Sequence, residues 1–308
     1  MKKAFQILPL VASAATIVSI ASPAHAALTF SGTIGSSSNL NQPRGIAIDS
    51  SGDLYVTNYG SGTISEFNSA GSLVASISSN LDAPYGIAIS SSGDLYVTNY
   101  GSGTISEFNS AGSLVTSISG NLDAPYGIAI SSSGDLYVTN VGNNTVSEYN
   151  SAGNFVTSIS GNLDVPVGIA IDSSGDLYVS NLGNNTVSEY NSAGNFVTSI
   201  SGNLYEPVGI AIDSSGDLYV ANVANYTISE FNSAGTFLTS VSGNLDDPFG
   251  IAIDSSGDLY VTNAGNDTVS EFTNSSAVPE PSSVLGGFTA AVLGLVLRWR
   301  KRSSTPLK

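Results

Sequence analysis

From Pro43 to Phe272 one 41-residue unit is written six times, its register marked by Pro43, Pro84, Pro125, Pro166, Pro207 and Pro248. Each unit runs Pro-x-Gly-Ile-Ala-Ile, Ser-Ser-Gly-Asp, Leu-Tyr-Val, Asn-x-(Gly/Ala) and Ser-Glu-(Phe/Tyr), and an apolar (Leu/Phe)-(Val/Leu)-x-Ser-(Ile/Val) run precedes the next proline. Four short apolar segments per period, separated by Gly, Ser, Asn and Asp clusters, predict four strands and leave no room for helices. A period of about 40 residues with four strands is that of a propeller blade. In the first unit the pattern predicts strand a over 46–48, b over 54–57, c over 63–67 and d over 73–78, with later blades following at the same period.

Strands a, b and c occur six times between Pro43 and Phe272, but strand d only five times. The segment 28–34, with Leu28, Phe30, Gly32 and Ile34 alternating, can supply the missing outer strand of the last blade. The expected fold is therefore all-β: a six-bladed β-propeller of four-stranded blades over 27–272, closed by an N-terminal outer strand. A single blade cannot bury both of its faces, and a ring leaves only short edges exposed. Residues 273–278 read as a linker.

The two ends carry addresses. Lys2 and Lys3, an apolar run over 7–21 and the small-residue site Ala24-His25-Ala26 predict a signal peptide over 1–26. At the other end Pro279-Glu280-Pro281 is followed by an apolar stretch over 284–297 and by Arg298, Arg300, Lys301 and Arg302, with a short tail at 303–308. This order resembles the PEP-CTERM sorting signal. The resemblance implies a hydrophobic sorting helix over 279–302 that inserts transiently in the membrane and is removed by an exosortase-type processing enzyme. It also implies a Gram-negative host making extracellular polysaccharide, and a protein exported across the inner membrane to the cell surface or beyond. The 14 residues over 284–297, at about 1.5 Å each, fall short of a hydrocarbon core of roughly 30 Å. A plain C-terminal anchor, oriented by its basic cluster, is the alternative. Both readings place the repeats outside the cytoplasm.

The blade wording, Pro-x-Gly-Ile-Ala-Ile-Asp followed by Ser-Ser-Gly-Asp-Leu-Tyr-Val, resembles the NHL repeat, with Asn58 and Thr63 standing where that repeat carries an acidic and a basic residue. The stretch Leu-Tyr-Val-Thr-Asn-Tyr-Gly-Ser-Gly-Thr-Ile-Ser over 54–65 is similar to YVTN-class propeller repeats. Both resemblances imply the same propeller.

Composition narrows function once the ends are set aside. Seven of the eight Lys and Arg are terminal, leaving Arg44 alone against 24 Asp and Glu, a charge of about −23. Nucleic-acid binding does not fit such a surface. His25 lies in the signal peptide and there is no cysteine, so no disulfide is available to a domain large enough to fold without one. Without His, Lys or Cys the repeat domain has no imidazole base, Schiff-base amine or thiolate. What remains is carboxylate chemistry, or a metal held on Asp, Glu and Asn oxygens as in gluconolactonase-like propellers. Catalytic groups should occur once, yet nearly every acid here recurs blade after blade. The exceptions, Glu206, Asp247 and Asp267, read as surface drift. The expectation is a protein that is not an enzyme, the alternative a metal-assisted carbohydrate lactonase or hydrolase.

The pairs Asp49/Asp53 and Asp172/Asp176, repeated at Asp213/Asp217 and Asp254/Asp258, suggest either calcium ligands or tight a-to-b hairpins built on Asx turns. Calcium normally needs six to eight oxygens, and Ser90 and Ser131 replace the first acid in two blades. The turn reading is therefore preferred, and no cofactor is expected. The ladder Glu66, Glu107, Glu148, Glu189, Glu230 and Glu271 reads as a solvated or hydrogen-bonded stripe, and the Asn-x-Thr triplets at Asn143, Asn184, Asn225 and Asn266 as b-to-c turns.

Strand order puts the d-to-a and b-to-c loops on one face and the nearly invariant a-to-b and c-to-d turns on the other. Variation gathers on the first face. After the prolines stand Arg44, Tyr85, Tyr126, Val167, Val208 and Phe249, and after the asparagines Tyr59, Tyr100, Val141, Leu182, Val223 and Ala264. Arg44, Tyr59, Tyr85, Tyr100, Tyr126 and Phe249 are the candidate ligand-binding residues, an aromatic sector suited to sugar or peptide. The competing reading is that they plug the channel mouth. The expected function is a surface or matrix module that binds extracellular polysaccharide or a surface protein. A coat role is the further alternative, since the first two blades differ at four of 41 positions.

Overall fold

The computed structural model describes residues 27–275. The signal peptide, residues 276–278 of the expected linker, the sorting segment with Pro279, Glu280, Pro281, Arg298, Arg300, Lys301 and Arg302, and the tail lie outside the described residues. Leu28–Ser275 forms one compact unit. Its 24 strands make six antiparallel four-stranded sheets, five of which follow chain order. In the sixth, Ala27–Ile34 lies outside Thr268–Ser275, so the N-terminal segment supplies the outer strand of the last blade.

In the first blade the strands are Pro43–Ile48, Leu54–Asn58, Thr63–Phe67 and Leu73–Ile77. Strand a starts at the proline, earlier than the apolar pattern predicts. Pro43 pairs with Asn58 and Ile46 with Val56, with a bulge between them. The bulge leaves the Gly45 amide free of the ladder, and Thr57 Oγ1 accepts it at 2.8 Å. The last strand c continues to Ser275, three residues beyond Phe272, because Ala27–Ile34 pairs along it. Thr273–Ser275 are therefore strand, and the linker expected from residue 273 starts no earlier than 276.

The core is a series of seams between neighbouring sheets. Ile46, Leu54, Val56 and Phe67 of the first blade pack with Val269 of the last, flanked by Ala252 and Tyr260. The same layer recurs around the ring, for example Ile105 against Ile128, Leu136 and Tyr149. Within each seam strand b carries a buried polar ladder. Asn58 Oδ1 accepts the Asn41 amide at 3.0 Å, and its Nδ2 donates to Ser65 Oγ at 3.0 Å. Ser65 Oγ in turn donates to the Asn39 carbonyl at 2.6 Å. A fully buried amide whose donors and acceptor are satisfied fixes the d-to-a loop, which is why Asn recurs at this position of every blade.

At the axis the inner strands nearly touch. A Cβ on Gly45 would lie 2.4 Å from the Tyr85 carbonyl oxygen, and one on Gly250 would lie 2.2 Å from that of Arg44. Only glycine fits there, so the six Pro-x-Gly triplets draw the ring tight. A hydroxyl on strand b clips five of the six blades to the next: Thr57 donates to the Tyr85 carbonyl at 2.6 Å, Thr139 to Val167 at 2.7 Å and Thr262 to Arg44 at 2.7 Å, and Thr98 and Ser180 act likewise. The fifth blade has Ala221 at this position.

Candidate functional site

The close approach of the inner strands sets what the loop face presents. The residue after each proline projects at the axial mouth, and Arg44, Tyr85, Tyr126, Val167, Val208 and Phe249 ring a cavity of about 70 Å³ whose floor is the glycine ring. Tyr85 and Tyr126 stack with centroids 3.9 Å apart and planes 29° apart. Tyr59 and Tyr100 flank Tyr85 at 5.1 and 5.5 Å, and Phe249 closes the cluster at 5.8 Å. All six candidate binding residues thus come together. The opposite sector is aliphatic, with Val167, Val208 and Ala221 packed beside Leu182 and Val223.

The aromatic residues divide into two tiers. Tyr85 is only 8 % exposed and fills the mouth, as the plug reading expects, whereas Tyr100 is 40 % exposed and offers a ring to solvent. Burial, then the hydrogen bond to Tyr85, hold the Tyr126 hydroxyl well above the ordinary tyrosine range. The Arg44 guanidinium lies 4.3 Å from the Phe249 centroid, 5.6 Å from Tyr85 and 5.7 Å from Tyr59, distances at which the ring quadrupole attracts a cation.

The other face is occupied by turn chemistry. Asp49 Oδ1 accepts the amides of Ser51 at 2.8 Å and Asp53 at 2.9 Å, and Asp53 Oδ1 accepts that of Ser69 at 2.9 Å. Asp172 and Asp176 repeat the arrangement with Ser174, Asp176 and Ser192. Ser90 Oγ accepts the Asp94 amide at 3.0 Å, so serine serves the same turn, and this explains its presence in the second and third blades. Among the described residues no cluster of three or more His, Cys, Asp or Glu is arranged to hold a metal. Each strand-c glutamate stands opposite a strand-b tyrosine: Tyr55 Oη donates to Glu66 at 3.2 Å and Tyr260 Oη to Glu271 at 3.4 Å. Burial, then the facing glutamate, push Tyr55 up to about 12. Burial, then Asp176 and Asp172, raise Glu189. The Asn-x-Thr triplets are turns, Thr145 Oγ1 donating to Asn143 Oδ1 at 2.7 Å.

Two features escaped sequence reasoning. Asp267 is no surface drift: its Oδ1 accepts the Gln42 amide at 2.7 Å across the closing seam, the role of Asn144 toward Val165 and of Asn185 toward Glu206. Tyr205 and Tyr226, 50 % and 49 % exposed, add aromatic surface to the fifth blade at loop positions that are polar or glycine in the other blades. Aligning the units column by column would have exposed both tyrosines.

The fold and this face define an exported β-propeller with a closed axis and an aromatic loop face. The chain belongs to the virginiamycin B lyase family, whose profile matches residues 33–284. The PEP-CTERM protein-sorting motif matches residues 277–302, making this an exported chain processed at the membrane by exosortase-type machinery. The propeller implied by the NHL-like and YVTN-like wording is present, and the family shown is the lyase family. Among solved structures, virginiamycin B lyase from Staphylococcus aureus is similar at 16 % identity over 79 % of this chain and 98 % of its own, with a TM-score of 0.63. A streptogramin B lyase is similar at 16 % identity over 79 % of this chain and 96 % of its own, with a TM-score of 0.65. A catalytically inactive His-to-Ala virginiamycin B lyase from Staphylococcus aureus with quinupristin follows at 17 % identity, 79 % and 98 % coverage and a TM-score of 0.62. At these identities the likeness is one of fold. No curated protein matches the chain.

Proposed function

We propose that this protein is a non-catalytic binding module of the cell surface or extracellular matrix, retaining a polysaccharide or a surface protein on its loop face. The observation that carries the reading is the convergence of Tyr59, Tyr85, Tyr100, Tyr126 and Phe249 around Arg44 at the axial mouth. Aromatic faces beside a guanidinium suit ligands that offer both ring or aliphatic surface and polar groups. Export and membrane processing support the reading, since matrix polymers lie outside the cytoplasm.

A second reading, turnover in the manner of the lyase relatives or of metal-assisted lactonases, draws on family membership. It meets a chemical obstacle. One solved relative is inactivated by loss of a histidine, and this chain has no histidine after His25. The cavity at the mouth is lined by Arg44, apolar and aromatic side chains and glycines, with no carboxylate among them. The test is a glycan array and a pulldown on extracellular polysaccharide with the exported protein, with and without calcium, beside incubation with quinupristin and sugar lactones. Saturable retention that is lost in the Tyr85, Tyr100 and Tyr126 triple alanine variant, at an unchanged circular dichroism spectrum, supports the binding reading. Turnover of any of the small molecules would overturn it.

A further inference from the structure

Arg44 is the sole cation over 27–275, among 23 Asp and Glu, and yet it pairs with none of them. Its interactions among the described residues are with the three rings, and its Nε–H is buried without an acceptor. The equivalent position holds Tyr85, Tyr126, Val167, Val208 and Phe249 in the other blades, so packing at the mouth does not require a charge. A guanidinium held against aromatic faces keeps its planar fork of donors pre-organised for an oxyanion.

We propose that Arg44 anchors a sugar carboxylate, and hence that the mouth takes an acidic, uronate-bearing polysaccharide. The inference rests on the binding reading above and names its ligand class. A cavity of about 70 Å³ accommodates a carboxylate and not a pyranose ring. The sugar therefore lies across the rim, against Tyr59 and the exposed Tyr100, with its acid group turned inward to Arg44. An extended peptide fits less well, because it would need free main-chain groups to pair with. Loop amides on this face are already bonded, Tyr59 N to Gln42 O and Gly60 N to Asn41 O at 3.1 Å, and Tyr100 N and Gly101 N likewise to Ala83 and Asp82. Acids stand on the same face, Asp267 Oδ1 on the Gln42 amide and Asp82 beside Gly101, so the attraction acts at direct contact with Arg44.

The test compares binding of the exported protein to polygalacturonate and alginate with binding to methyl-esterified polygalacturonate, in which the same sugar is neutral. The wild type should bind the acid forms about tenfold or more tightly than the ester. Arg44→Gln should equalise the two with the cooperative fold retained, because the Arg44 carbonyl that receives Thr262 is untouched. Equal affinity of the wild type for acid and ester, or an acid preference that survives Arg44→Gln, overturns the carboxylate anchor. If ester and acid both bind and both are weakened by Tyr59→Ala and Tyr100→Ala, the binding mouth stands without the anchor. Retention of peptides bearing a free carboxylate, with no uronate bound, overturns the glycan assignment. Failure of every ligand overturns both readings.

Discussion

A d-to-a loop crosses both the seam between the sixth and first blades, at residues 35–42, and that between the fifth and sixth, at residues 243–247. The first is the more heavily fastened. Thr262 donates to the Arg44 carbonyl and Asp267 accepts the Gln42 amide, while within the sixth blade Ala27–Ile34 adds the outer strand, Phe30 meeting Phe272 edge-on at 5.8 Å. At the internal seam Ala221 replaces the hydroxyl and Tyr226 stands where Asn144, Asn185 or Asp267 bridges, so apolar packing of Val208, Ala221 and Phe249 carries the contact. The covalent break lies within the sixth blade, between Thr268–Ser275 and Ala27–Ile34, which strand pairing and the Phe30–Phe272 contact join. The clip and bridge of the closing seam recur at internal seams, in Thr139 with Asn144 and in Ser180 with Asn185, so the fifth–sixth seam is the exception.

Removing residues 27–34 is the severest way to break this contrast. It uncovers the strand carrying Val269 and Phe272 and takes away the packing of Leu28 and Ile34. The shortened protein should lose its cooperative thermal transition, and a retained native melt would show that the ring does not depend on the closing strand. Alkali acts next, and on every blade. Tyr55, Tyr96, Tyr137 and Tyr178 are pushed up to about 12, by burial first and then mainly by the facing acidic residues. An unfolded tyrosine ionises near pH 10. Folded values raised above that mean the stabilisation is whole below about pH 10 and is lost as pH climbs through about 12. Tyrosinate absorbance and circular dichroism should therefore change together in that window, and ionisation near pH 10 with the fold intact would refute the assignment.

Single clips give smaller effects. Thr262→Ala strands the Arg44 carbonyl and the Gly250 amide inside the closing seam and should cost about 1–3 kcal/mol in a denaturant titration. Ala221→Ser should act in the opposite sense. By analogy with Ser180, which accepts the Gly168 amide and donates to the Val208 carbonyl, the new hydroxyl would bridge Gly209 and Phe249 and add about 0.5–1.5 kcal/mol. A neutral Thr262→Ala together with a destabilising Ala221→Ser would reverse the comparison.

The architecture was open to reading because a strict period repeats each local signal six times, and because counting strand d exposed the missing outer strand. Strand c of the first blade ran as predicted, while strand a began earlier, since its bulge is made by a side chain, Thr57, that an apolar pattern does not register. The aromatic loop face is legible as variation against a uniform background. What remained hidden were contacts between units. Thr57 reaches a carbonyl 28 residues onward, and Ser65 one 26 residues back. Neither has a local signal, so Asp267 looked like drift until the closed ring placed it beside Gln42. The acidic hairpins were ambiguous for another reason, because an Asx turn and a cation site use the same side chain and only geometry shows the oxygens already bonded to amides.

The most direct test is hydrogen–deuterium exchange of the exported protein with and without added extracellular polysaccharide. The account predicts protection centred on the loop face around Arg44, Tyr59, Tyr85, Tyr100 and Tyr126, with the Ser-Ser-Gly-Asp turns of the opposite face unchanged. Protection confined to those turns, or spread evenly over all six blades, would contradict it.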